Sequence, residues 1–284
     1  MNWLLEPLQY EFIVRAMLAA LLVGVVCSIL GVYIVLRGMA FLGDAMAHTI
    51  LPGVVVAFLL GWPLAVGALV MGVLTALGIG ALTERTALKE DTAIGVIFAG
   101  FFALGVALLS ARGDYSIDLA HFLFGNLLGV SPGDLLLMAM LGAAVLLTIY
   151  LFYKEFLVLS FDPLLAETLR LPVRFLNYLL LLLLAVTIVV ALQVVGVALM
   201  LAVLVTPAAA ASFLTHRLPA MMAIAATIGA FSAVAGVYLS YHLNIAAGPA
   251  VVLVATLLFL LALLLAGARG RRARSADAAV MEAP

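Results

Sequence analysis

Nine runs of roughly twenty apolar residues dominate this chain, at 12–36, 41–60, 64–83, 92–110, 133–152, 175–193, 196–213, 219–241 and 247–267. A helix needs about twenty such residues to cross a hydrocarbon core about 30 Å thick, because each residue adds only 1.5 Å. The runs are too long, and alternate too little, to be the strands of an outer-membrane barrel. The fold expected is therefore all-α: a polytopic membrane-spanning helical bundle. Only Gln193 to Gly196 separates the sixth run from the seventh, so nine spans carries a range of eight to ten. The balance of residues agrees: 68% are hydrophobic and 10% charged, with a mean hydropathy of +1.35. A soluble domain carries about 25% charged residues. Lipid tails accept the excess apolar surface that water would not.

Basic residues orient the bundle, because Lys and Arg collect in cytoplasmic loops. Arg37 follows the first run, Arg85 and Lys89 the third, and Lys154, Arg170 and Arg174 the fifth; Arg217 follows the seventh, and Arg269, Arg271, Arg272 and Arg274 the last. The other exits hold Arg112 beside Asp114 and Asp118, a short turn near Gln193, and His242 with Asn244. With nine spans the N-terminus lies outside and the C-terminus in the cytoplasm. Residues 1–267 read as one membrane domain, and 268–284 as a disordered cytoplasmic tail. The first apolar run is expected to stay as an anchor, since no basic leader or small-residue cleavage site precedes it. Glycines at 72, 78 and 80, and at 95, 100 and 105, read as places where helices approach closely.

Several function classes are excluded. A net charge of −1 offers no basic surface to nucleic acid. One cysteine, Cys27, rules out an internal disulfide or a thiolate cage and reads as a small buried apolar residue. The chain has no G-x-x-x-x-G-K-[ST] phosphate loop, no H-E-x-x-H helix and no G-x-S-x-G elbow. Transport against a gradient would draw its energy from elsewhere.

One stretch stands apart. Residues 43–53, GDAMAHTILPG, put Asp44 and His48 inside the second apolar run. A charge at the bilayer centre costs about 2.5–3.5 kcal/mol on insertion scales, so such groups face protein or water. At i, i+4 the two side chains share one helical face, roughly 5–6 Å apart at Cβ. Pro52, one turn on, cannot donate to the carbonyl of His48 and is read as a helix break. A carboxylate, an imidazole and a freed carbonyl would then converge. Asp44 could instead cap the helix, and His48 could bond a neighbouring helix. As ligands, Asp oxygen and His nitrogen suit zinc, manganese or ferrous iron. One of each is too few for a four-ligand site, whereas a two-fold dimer supplies two of each. His121, His216 and His242 lie near predicted turns and are weaker candidates.

The loop FDPLLAETLRLPV at 161–173 reads as a short helix with Asp162 as cap and Pro163 in its first turn. Leu164, Leu165, Leu169 and Leu171 make it half apolar on the cytoplasmic side. It could dock into a groove on a partner or lie along the membrane surface. Pro207, in LVTPAAAA, frees the carbonyl of Val203 and is read as a second helix break.

GDAMAHTILPGVVVAFLLG at 43–61 resembles the second-span motif of the metal-type ABC importer permeases, which handle zinc, manganese and iron. EDTAIGVIFAGFFALGVALLS at 90–110, FLFGNLLGVSPGDL at 122–135, FLVLSFDPLLAETLRLPV at 156–173 and VVGVALMLAVLVTPAAAASFLTHRL at 194–218 agree in chain order. The resemblance implies a transmembrane subunit in the plasma (inner) membrane of a prokaryote. It would pair with a second copy of itself, two cytoplasmic ABC ATPase subunits and an extracytoplasmic metal-binding protein. The chain itself would be no enzyme and hold no permanent cofactor, the divalent metal being cargo. Asp44 and His48 look like the membrane stop for that metal. The segment at about 162–172, with Asp162, Pro163, Leu164, Leu165, Glu167, Leu169 and Arg170, looks like the coupling helix that meets the ATPase. The family usually has glycine where Arg170 stands; arginine would prolong the helix or pair with an ATPase acid. Two rivals remain: a permease for a metal chelate such as a siderophore or cobalamin, and a proton-coupled secondary transporter with Asp44 and His48 as relay.

Overall fold

The computed structural model describes residues 6–86, 88–111, 125 and 127–281. Among these residues the chain forms helices and short 3-10 turns, with no strand. The first span is α1 (Glu11–Leu36). The second is split into α2 (Phe41–Thr49) and α3 (Leu51–Leu60). Next come α4 (Leu64–Arg85), α5 (Glu90–Ser110) and α6 (Pro132–Leu151). Two short helices follow, α7 (Tyr153–Phe161) and α8 (Pro163–Thr168). The chain closes with α9 (Val173–Val195), α10 (Val197–Leu214), α11 (Leu218–Leu243) and α12 (Ala247–Met281).

Among the described residues, eight of the spans are long and apolar enough to cross a membrane. The remaining run, expected as the seventh span, is α10, whose apolar stretch, Met200–Leu214, is shorter. Local chemistry sets the ends. Ser131 and Asp134 form a reciprocal capping box before α6. Gly196, at φ 79°, separates α9 from α10, so the short turn expected near Gln193 does break the helix. The apolar part of α12 ends near Ala268, but the helix continues to Met281 through the segment read as a disordered tail. Alanine and arginine are strong helix formers, which lets the helix outrun the hydrophobic pattern.

The post of the bundle is α1, packed against α11, α10, α9 and α6. Its Cys27, Leu30, Tyr33 and Ile34 are fully buried. Close approach depends on small residues, as it must where lipid provides no hydrophobic force between helices. A Cβ on Gly24 would stand 2.7 Å from the carbonyl oxygen of Gly229 in α11. Gly53 of α3 and Gly67 of α4 face each other as tightly. The expected packing role holds for Gly72, Gly78, Gly80 and Gly105, which meet Ala185, Ile97, Tyr178 and Leu51. It does not hold for Gly95 and Gly100: no described atom lies within 4 Å of a Cβ built there. They stand on the open face of α5, which packs one side on α2, α3 and α4.

Candidate functional site

The turn after α1 sets up the site. Gly38, at φ 70°, lets its own N–H reach Val35 and the N–H of Met39 reach the carbonyl of Ile34. This pair of bonds closes a helix end in left-handed geometry and sends the chain back as α2. One face of α2, with Leu42, Ala45, Met46 and Thr49, is buried in the bundle. The opposite face carries Asp44 and His48, which keep 30% and 33% of their side-chain surface. Nε2 of His48 lies 3.7 Å from Oδ1 of Asp44. That separation is beyond hydrogen-bond reach.

The second span breaks at Ile50, between His48 and Pro52, in the turn that a proline at 52 disrupts. Pro52 sits in the first turn of α3, where a missing N–H costs nothing. The carbonyl of His48 has no N–H one turn on to accept from, because position 52 is proline. Pro207 lies inside α10 and the helix runs through it, so no break forms there. Buried Ala208, Ala210 and Ala211 hold the backbone in close packing around it.

Sequence reasoning passed over two features. Phe98 and Phe102, one turn apart on α5, stack at 5.7 Å with an interplanar angle of 11°. Both stand edge-to-face with His48, at centroid distances of 6.0 and 5.4 Å. Their i, i+4 spacing was visible, but nothing local says that α5 lies against α2. The second feature is an ion pair between Nη2 of Arg37 and Oε1 of Glu90, at 2.9 Å. It ties the end of α1 to the first turn of α5. Burial lowers the Arg37 guanidinium from its ordinary value, and the nearby Glu90 opposes that shift.

The segment at about 162–172 lies elsewhere, beyond α7. Asp162 accepts the N–H of Leu165 at 3.0 Å and caps α8, with Pro163 following. Leu164, Leu165 and Leu169 are exposed, as is Glu167, while Ala166 is buried. The helix is not prolonged by Arg170. That residue adopts φ 56°, its N–H meets Glu167 and the N–H of Leu171 meets Ala166. An arginine here takes the left-handed stop that glycine usually takes.

Of the other histidines, His216 is exposed and the ring of His242 packs on Tyr241 at 5.1 Å. His121 lies outside the described residues. Among the described residues no three His, Cys, Asp or Glu gather as one chain's metal cage.

Residues 9–266 match the model of a family described as the ABC 3 transport family. Over 257 residues the chain is 46% identical to the "Manganese transport system membrane protein MntC" of Halalkalibacterium halodurans, covering 90% of this chain and 88% of that protein. It is 43% identical over 259 residues to the "Chelated iron transport system membrane protein YfeD" of Yersinia pestis, covering 91% and 87%. Among solved structures, "PsaBC from Streptococcus pneumoniae in complex with Fab" superposes with a TM-score of 0.81 at 40% identity, covering 92% of this chain and 94% of that one.

Proposed function

The chain belongs to the ABC 3 transport family, and from that premise we propose that it is the permease through which a divalent transition-metal ion enters the cell. The relatives' names point to manganese or iron, and zinc shares the same ligand chemistry. The observation that carries this reading is the pair on α2, with Nε2 and Oδ1 at 3.7 Å on a face the chain leaves one-third open. A carboxylate and an imidazole in a span do not face lipid. A second copy, or a wet path between two copies, covers them. Two copies bring two carboxylates and two imidazoles to one ion. Such a site strips part of the hydration shell yet lets the ion leave, as transport requires.

The rest of the assembly follows from what this chain lacks and exposes. With no phosphate loop of its own, it draws on two cytoplasmic ATPase subunits. The exposed leucines of α8 and the Asp162–Arg170 segment dock into them. An external binding protein delivers the metal. The N-terminus lies outside and the C-terminus in the cytoplasm, which places Asp44 and His48 in the inner half of the second span.

The test is uptake of radioactive Mn2+, Fe2+ and Zn2+ by vesicles holding this chain with its ATPase and binding protein. ATP-dependent accumulation of at least one bare ion is expected. Movement without the ATPase would favour a proton-coupled carrier, and movement of a chelate alone would favour a chelate permease.

A further inference from the structure

A histidine that binds a metal nearly always gives its second ring nitrogen to a hydrogen bond, which fixes the ring's orientation. His48 departs from that pattern. Among the described residues no hydrogen bond holds its ring: the Asp44 carboxylate stands 3.7 Å from Nε2, beyond hydrogen-bond reach. What does hold the ring is aromatic. Phe98 and Phe102 lie edge-to-face with it at 66° and 76°, and they are nearly parallel to each other. Edge-to-face packing is favourable because the positive rim of one ring meets the negative face of another. Two such contacts, from rings one helical turn apart, block the imidazole from swinging toward α5.

We propose that Phe98 and Phe102 are positioning residues for His48, holding the imidazole so that Nε2 stays turned toward Asp44. The proposal rests on the reading of Asp44 and His48 as metal ligands and adds the element that orients one of them. The rings take over the task of the missing hydrogen bond, and they do so from a different helix. The ligands belong to α2, whose inner face is buried in the bundle, whereas the rings belong to α5, the least enclosed of the candidate spans, at 17% buried. The orientation of His48 is therefore set by where α5 stands against α2. The rings touch the metal themselves in no way; they act only through His48.

Reconstituted transporter with its ATPase and binding protein tests this, using initial rates of Mn2+ uptake against Mn2+ concentration. Phe98→Leu and Phe102→Leu together should raise KM by about five- to ten-fold, the loss of two aromatic contacts. The maximal rate should stay within about two-fold, because the ligands themselves remain. Phe102→Tyr keeps the ring and should restore most of the affinity. Phe41 provides the control, since it stands edge-on to Phe98 at 5.7 Å without being a ring contact of His48. Phe41→Leu should leave KM unchanged. The proposal is overturned if the double leucine variant keeps the parent KM, or if Phe41→Leu raises KM as much, which would make the effect general packing. Asp44→Ala and His48→Ala run alongside. If both transport normally, the ligand reading itself has failed; if both are dead while the leucine variants keep the parent KM, only the positioning role has.

Discussion

Arg170→Gly should make the end of α8 more stable, although it deletes a charged side chain. Arg170 sits at φ 56°, where an L-residue's Cβ crowds its carbonyl at a cost of about 1–2 kcal/mol. Glycine escapes that cost but gives up more chain freedom on folding, about 0.5–1 kcal/mol. The difference spans about 0–1.5 kcal/mol and centres on a net gain of about 0.7 kcal/mol. Nothing in the hydrogen bonding opposes it, since the two bonds that close α8 use the backbone amides of positions 170 and 171. The assay is hydrogen exchange at the Leu171 amide, which bonds the carbonyl of Ala166 at 3.0 Å. With intrinsic rates corrected, exchange should slow by about two- to five-fold. Arg170→Val, which puts a β-branched side chain into left-handed geometry, should speed it. Unchanged or faster exchange in Arg170→Gly would refute the reasoning. The same variant shows whether arginine also pairs with an acid on the ATPase: if it does, assembly weakens most at low salt.

Three further outcomes are expected. Glu90→Gln leaves the Arg37 guanidinium, 9% exposed, without its counter-charge. Because Glu90 is itself 38% exposed, thermal unfolding in detergent should show a loss of about 1–3 kcal/mol, with exposed Asp91→Asn near neutral. Gly24→Ala drives a methyl to 2.7 Å from the Gly229 carbonyl, so α1 and α11 must part, costing about 1–3 kcal/mol by the same measurement. Leu164→Asp, at a side chain 76% exposed, should leave unfolding within about 0.5 kcal/mol while reducing co-purification with the ATPase.

The spans were legible because each is written in one contiguous run of apolar residues. Predicted and observed helices coincide within two or three residues at most ends, and Asp162 with Pro163 marked the start of α8 as capping chemistry should. Asp44 and His48 were legible because ionisable residues inside a span are costly and four-residue spacing fixes their face. Pro52 was legible as a break, and the span does break beside it at Ile50, after which the proline serves as a first-turn residue of α3. The misses share a different cause. Of the two expectations for Arg170, the prolonged helix does not form; the bonds to Glu167 and Ala166 overrode its poor fit to left-handed backbone. The ring pair against His48 and the Arg37–Glu90 bridge depend on which helices become neighbours, which local pattern does not encode. Gly95 and Gly100 resembled packing positions yet face no described neighbour, because small residues alone do not say which helix will come.

The central claim is that Asp44 and His48 are the ligands a metal must pass. It is tested most directly by ATP-driven Mn2+ uptake into vesicles that hold the permease, its ATPase and its binding protein. Asp44→Ala and His48→Ala are compared there singly and together, at equal membrane abundance and equal ATPase assembly. The account predicts that each substitution abolishes uptake and that the double variant is no worse than either alone, as expected for two groups acting on one ion. Uptake at the parent rate by the double variant would contradict it.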